Sequence, residues 1–299
     1  MDTRRTLLVD AFAAEPLAGN AAGVVPEADG LTADQMRAIA RELAVSETAF
    51  LLPSETADRR LRYFSPEQEV DLCGHATVAA HAHLREAGAI DEGEHTIETN
   101  VGVLGVEVES DGSIWMTQEM PRVERVEVDY ERLGNALGID PAALRDVGAD
   151  LPVAVASTGL PFLIVPVNFL QNLGSADPND GAVEAIADEH GVAGIYAFTF
   201  DALGADSTLH ARAFAPSVGI AEDPATGTAS GACGAYLREV GAFEDFPEEM
   251  VFEQGHFVDR PSEVRVRVAG DVRVGGHAVT SLDGRLAVPP AEEDDIVEA

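Results

Sequence analysis

The sequence contains no lysine: its 19 basic side chains are all arginine, set against 53 acidic ones. Without lysine there is no Schiff base to pyridoxal phosphate, no lysine aldolase chemistry and no Walker-type phosphate lysine. No glycine-rich dinucleotide fingerprint follows the first strand-like segment. The two cysteines, Cys73 and Cys233, are too few for a disulfide framework or a structural zinc site. The histidines show no metal-ligand spacing with them, and His81 and His83, two apart, would not share a helix face. No apolar run is long enough to span a bilayer. Val153–Leu170 comes nearest, and Gly159, Pro161 and Pro166 break it into what reads as buried strands. The charged start Met1–Arg5 passes into Thr6-Leu-Leu-Val-Asp10, a first strand rather than a signal peptide. A cytoplasmic protein is expected.

What is abundant is negative charge, −34 over 299 residues. Such a surface repels nucleic acid and anionic membranes, and it repels itself. Salt at ~1 M shortens the Debye length to about 3 Å and relieves that repulsion, so a halophilic protein is expected. Most carboxylates are then solvation, and a lone Asp or Glu carries little functional weight. The 46% hydrophobic content suffices for one large core or two ordinary ones.

The chain repeats itself. Arg62-Tyr-Phe64-Ser-Pro66 leads through a short loop to Asp71-Leu-Cys73-Gly74-His75-Ala76 and a run of small residues to Leu84. Arg212-Ala-Phe214-Ala-Pro216 leads through a longer loop to Asp223-Pro-Ala-Thr226-Gly227-Thr228-Ala229 and a second such run to Leu237. With Gly74 on Gly227, Ala76 meets Ala229, Ala79 meets Ala232, Ala82 meets Ala235 and Leu84 meets Leu237. Ala49-Phe50 and Ala197-Phe198 each close an apolar stretch upstream. The small-residue runs have no polar face, so each reads as a buried central helix wrapped by a curved sheet. Val101–Glu109, Val123–Val128 and Val264–Ala269 alternate apolar and charged residues as strands do. The expected class is α+β with two similar lobes, residues 1–125 and 126–288, followed by an acidic tail over 289–299.

Two duplicated helices would bring two N-termini to one cleft, at Gly74-His75 and Gly227-Thr228. Such ends present free N–H groups and a positive dipole to a carboxylate. Acid–base work needs groups that differ between the halves. Glu47 precedes an apolar run, and the matching stretch near Gly194-Ile195 has no carboxylate. His75 could exchange a proton or serve as a structural histidine. Asp223, before Pro224, could serve the site or cap a turn. Asn20 is a turn residue first and a ligand donor second.

Taken in order, Asp10-Ala-Phe12 with Gly19-Asn20, Ser46-Glu47-Thr48-Ala49-Phe50, Leu72-Cys73-Gly74-His75-Ala76-Thr77 and Glu222-Asp223-Pro224-Ala-Thr226-Gly227 resemble the motifs of the PhzF-like, phenazine-biosynthesis family. The resemblance runs from Asp10 to about Leu237 and departs at Ala21, where proline often follows Gly-Asn. It implies the diaminopimelate epimerase-like fold, a frequent homodimer, and an isomerase needing no cofactor or metal. Glu47 resembles the family's proton-transferring carboxylate, with His75 and Asp223 as its polar partners. Thr228 resembles a further supporting polar residue, Gly74 and Gly227 fall where backbone amides hold the substrate's carboxylate, and Asn20 and Thr228 are expected to bind substrate beside them. The named substrate in the phenazine pathway is dihydro-hydroxyanthranilate; here the expectation is a small carboxylate-bearing substrate, cyclic ones included. Two alternatives stand beside this one. In a two-base epimerase, Cys73 would face a second thiol, but its repeat mate is Thr226. A non-catalytic binding protein would have no need of a proton-transfer carboxylate.

Overall fold

A computed structural model describes residues 2–148 and 150–290 of the chain. Most of the expected acidic tail, residues 291–299, lies outside the described residues.

The first half runs β1 (Asp2–Ala11), β2 (Asn20–Val25), α1 (Ala33–Leu43), β3 (Thr48–Leu52), β4 (Arg59–Phe64), β5 (Glu69–Val70), α2 (Gly74–Glu86), β6 (Gly93–Thr99), β7 (Gly102–Val108), β8 (Ile114–Thr117) and β9 (Arg122–Arg125). The second runs α3 (Tyr130–Leu137), α4 (Pro141–Arg145), β10 (Ala154–Ser157), β11 (Pro161–Pro166), α5 (Leu170–Gly174), α6 (Asp180–His190), β12 (Gly194–Thr199), β13 (Leu209–Ala215), β14 (Ile220–Asp223), α7 (Gly227–Glu239), β15 (Met250–Gln254), β16 (Ser262–Val268), β17 (Val272–Gly276) and β18 (Ala278–Val288). The class is α+β, as expected.

The pairing repeats strand for strand. β1 lies antiparallel to β2 as β10 does to β11. β2 and β3 are parallel across α1, as β11 and β12 are across α5 and α6. β3–β4 and β12–β13 are antiparallel, and β4 runs parallel to β6 as β13 does to β15. The two halves exchange their last strands: β9 pairs with β10, and β18 pairs with β1 along its whole length. The β8–β17 pairing joins the sheets into one.

α2 packs against β1, β2, β3, β8 and β18, and α7 against β9, β10, β11, β16 and β17. Residues 76–84 of α2 and 229–237 of α7 are buried without exception, because alanine, glycine, serine and threonine let strands approach from every side. The aligned positions share chemistry as well as size. Thr77 Oγ1 donates to Cys73 O at 2.7 Å, and Ser230 Oγ donates to Thr226 O at 2.9 Å. Each hydroxyl also meets a buried tyrosine, Tyr63 at 2.6 Å and Tyr196 at 3.1 Å. The arginine of each Arg-x-Phe-x-Pro segment forms a two-pronged pair with a glutamate of the next strand, Arg62 with Glu69 and Arg212 with Glu222.

One register differs from the sequence expectation. Phe50 stands opposite Arg62 and Ala197 opposite Arg212, so Phe50 corresponds to Ala197 rather than Phe198. The same register sets Glu47 against Gly194. A side chain cannot occupy Gly194, because a Cβ there would lie 2.2 Å from Phe214 O. The strand expected over Val123–Val128 ends at Arg125. Helices α3 and α4 carry no repeat partner. Asp129 and Asp140 cap them, and they bury Leu133, Leu137 and Leu144 in a second core with α6. α1 begins with a Thr32–Gln35 capping box and covers a smaller cluster around Phe50 and Phe64. Among the described residues no helix is long and apolar enough to cross a membrane.

Candidate active site

A cleft of about 1180 Å³ opens where the two halves meet, with the starts of α2 and α7 in its wall. It is larger than a small substrate needs. Asn20, Glu47, Gly74, His75, Asp223, Gly227 and Thr228, all seven of the site residues expected from the sequence, line it.

The first half brings Ser46, Glu47, Cys73 and His75 to the cleft. Glu47 sits one residue before β3, and its side chain is 22% exposed. His75, in the first turn of α2, places Nε2 3.5 Å from Glu47 Oε2. The same nitrogen is 3.3 Å from Ser46 Oγ, and Nδ1 is 3.4 Å from Cys73 Sγ. Burial lowers the His75 pKa and the Glu47 charge opposes that shift, so the ring is neutral at pH 7. Cys73 is the N-cap of α2. Burial, reinforced by the charge of Glu47, pushes its thiol well up, so it stays protonated.

The second half brings a braced carboxyl. Asn20 Nδ2 donates to Asp223 Oδ1 at 2.8 Å and to Ala225 O at 3.0 Å. Thr226 Oγ1 donates to Asp223 Oδ2 at 2.5 Å. The buried Gln254 donates to Thr226 Oγ1 at 3.0 Å and to Asp223 O at 2.6 Å, and accepts from Thr226 N at 3.2 Å. Burial raises the Asp223 pKa to about 7; the Thr226 hydrogen bond works against the shift and the Glu47 charge adds to it. Glu47 and Asp223 thus feel one another although they belong to opposite halves. Thr158 Oγ1 holds Thr228 O at 3.0 Å.

Neither central helix has a side-chain cap bond at its N-terminus. A Cβ on Gly74 would meet nothing within 4 Å, so the backbone there faces open cleft. Arg273 is the sole arginine of the lining, and it is paired with Glu107. The two helix ends, with their free N–H groups and positive dipole, are therefore the features of this acidic cleft suited to an anion. The first loop is also fixed in place. Gly19 has φ +59, and a Cβ would lie 2.2 Å from Ala11 O. Arg260 donates to Gly19 O at 2.7 Å and pairs with Asp10 at 2.6 Å, which aims Asn20 at Asp223.

Sequence reasoning missed Gln254, Ser46, Thr158 and Arg260. Each acts through hydrogen bonds to a distant segment, and no spacing announces such a contact. It also gave no metal-ligand set, yet the fold gathers donor atoms of Glu47, Cys73 and His75 within 4.8 Å of one another. Thr226, the repeat mate of Cys73, is the N-cap of α7, and its hydroxyl is committed to Asp223 and Gln254.

Comparison with known proteins agrees with this architecture. The phenazine biosynthesis-like protein family model (PhzC-PhzF) matches residues 9–284. The isomerase YfhB of Bacillus subtilis is 37% identical over 95% of this chain and 96% of its own length. The trans-2,3-dihydro-3-hydroxyanthranilate isomerase of Pseudomonas chlororaphis is 32% identical over 94% of this chain and 99% of its own. The crystal structure of the Bacillus anthracis phenazine biosynthesis protein, PhzF family, superposes with a TM-score of 0.88 at 35% identity, covering 96% of this chain and 100% of that one. At the level of fold alone, a hydroxyproline epimerase from Agrobacterium vitis matches with a TM-score of 0.55 at 16% identity, covering 96% of this chain and 91% of that one.

Proposed function

The chain belongs to the phenazine biosynthesis-like (PhzC-PhzF) family and is an isomerase, and from that premise we propose that it moves a proton on a small carboxylate-bearing substrate, with Glu47 as general acid and base and no cofactor. The observation that carries this reading is the convergence of Glu47 and His75 from one half with Asp223 from the other, in a cleft walled by two uncapped helix N-termini.

The substrate's carboxylate docks on the amides at Gly74-His75 and Gly227-Thr228, which stabilise charge developing on the adjacent carbon. Glu47 removes the proton from one carbon and returns it to another. Neutral His75 hydrogen-bonds the substrate and orients Glu47. Asp223, braced by Asn20 and Thr226, is half-protonated near pH 7 and donates or accepts a hydrogen bond at the opposite edge. Thr226 offers no second base, because a hydroxyl does not ionise near neutrality and this one is already engaged. That disfavours the two-base epimerase.

The test is proton NMR in deuterated water and molar salt, with dihydro-hydroxyanthranilate and a panel of small cyclic carboxylates. Deuterium uptake or isomerisation is expected for at least one compound. Binding without exchange across the panel would favour a binding protein and contradict the proposal.

The charge of −34 supports a cytoplasmic enzyme of a salt-rich cell, and the family resemblance supports a homodimer. The melting temperature should climb steeply from dilute to molar salt as the repulsion is screened; a flat dependence would reject the halophilic reading.

A further inference from the structure

We propose that Glu47, Cys73 and His75 form a thiolate-containing site for zinc or cadmium, and that an ion bound there inhibits the enzyme. The inhibitory half rests on the acid–base reading of Glu47; the binding half rests on geometry alone.

Tetrahedral zinc with ordinary Zn–N, Zn–O and Zn–S bonds sets its donors about 3.3–3.6 Å apart. His75 Nε2 is 3.5 Å from Glu47 Oε2 and 4.0 Å from Cys73 Sγ. These separations approach the required ones before any side chain adjusts. The three ligands come from the residue before β3, the N-cap of α2 and its first turn. They line an open cleft, so an ion can enter and a fourth position is left for water. Among the described residues this is the one such cluster of His, Cys, Asp and Glu. A thiolate beside an imidazole selects zinc or cadmium over magnesium or calcium. The acidic surface raises the local cation concentration.

On binding, the Cys73 thiol releases its proton to solvent and the sulfur becomes a thiolate ligand. Ser46 Oγ yields its hydrogen bond to His75 Nε2, and Glu47 turns an oxygen to the metal. The carboxylate that would carry the substrate's proton is then occupied, and a dication stands beside it. The ion is therefore an inhibitor and not a cofactor.

The experiment titrates cadmium into the full chain in concentrated sodium sulfate, which competes for the ion far less than chloride, and follows the ultraviolet thiolate-to-cadmium charge-transfer band. The wild type and Cys233→Ala should take up one cadmium per chain with the band, and Cys73→Ala should show none. His75→Gln should bind at least about a hundredfold more weakly. Circular dichroism checks that each variant is folded. A band absent from the wild type, or retained in Cys73→Ala, overturns the site. In parallel, equimolar zinc should abolish wild-type proton exchange and a chelator should restore it. Undiminished exchange by a loaded protein overturns the inhibition. Absence of exchange in the metal-free protein would count against the acid–base reading and leave the cadmium result to stand alone.

Discussion

The halves built around α2 and α7 share a scaffold down to single hydrogen bonds, and they differ where the cleft begins. The first half offers Glu47, where the second has Gly194 and no room for a side chain. At the N-cap it offers Cys73 against Thr226, and in the first turn His75 against Thr228. The second half offers Asp223, braced from three sides. Duplication supplies two helix ends, which suit the symmetric task of holding a carboxylate. Divergence supplies Glu47 and His75 on one wall and the braced Asp223 on the other, which suits the asymmetric task of moving a proton in the proposed reaction. The shared parts should therefore respond alike to substitution, and the divergent parts should not.

The largest expected effect on folding separates the two arginines of the repeat. The Arg212–Glu222 pair is 7% and 11% exposed, against 20% and 28% for Arg62–Glu69. Arg212 also donates to Leu173 O and Ala176 O, at 3.0 and 2.9 Å. Arg212→Ala strands a largely shielded glutamate and should cost about 3–5 kcal/mol in urea unfolding. Arg62→Ala should cost about 1–2 kcal/mol, since water reaches Glu69. Equal losses would mean that the two pairs are energetically equivalent after all. A smaller effect should be shared. Thr77→Ala and Ser230→Ala each leave a buried tyrosine hydroxyl without its partner, and each should cost about 1–3 kcal/mol. A clear difference between them would break the claimed correspondence of α2 and α7.

Smaller still is a pH effect on substrate binding. The Asp223 pKa is raised to about 7, so the neutral acid prevails below that pH and the anion above it. Ionisation adds a second negative charge near Glu47 and opposes an anionic substrate. KM should therefore rise a few-fold as pH increases through about 7, and Asp223→Asn should remove the rise. A KM independent of pH in the wild type would contradict the assignment.

The duplication was legible in the sequence because small residues repeat in order, and the helices they form admit no other packing. The motif residues converge for the same reason: each stands at a fixed step from a helix start or a strand start. The strand exchange of β9 and β18 was not legible, since alternation marks a strand without naming its neighbour. Nor was Gln254, a buried polar residue at the end of β15 beside the buried Glu253, whose role exists only through its contacts with Thr226 and Asp223. The grouping of Glu47 with Cys73 and His75 escaped spacing rules because one ligand is 26 residues from the next.

The most direct test of the central claim, that one carboxylate on one wall carries the proton, compares Glu47→Gln with the wild type. Deuterium exchange into a turned-over carboxylate would be measured by proton NMR in molar salt, alongside calorimetric binding of the same compound. The account predicts a loss of exchange of at least about a thousandfold, with the melting temperature and carboxylate affinity nearly unchanged. Exchange retained within about tenfold of wild type would contradict it and move the chemistry to another residue of the cleft.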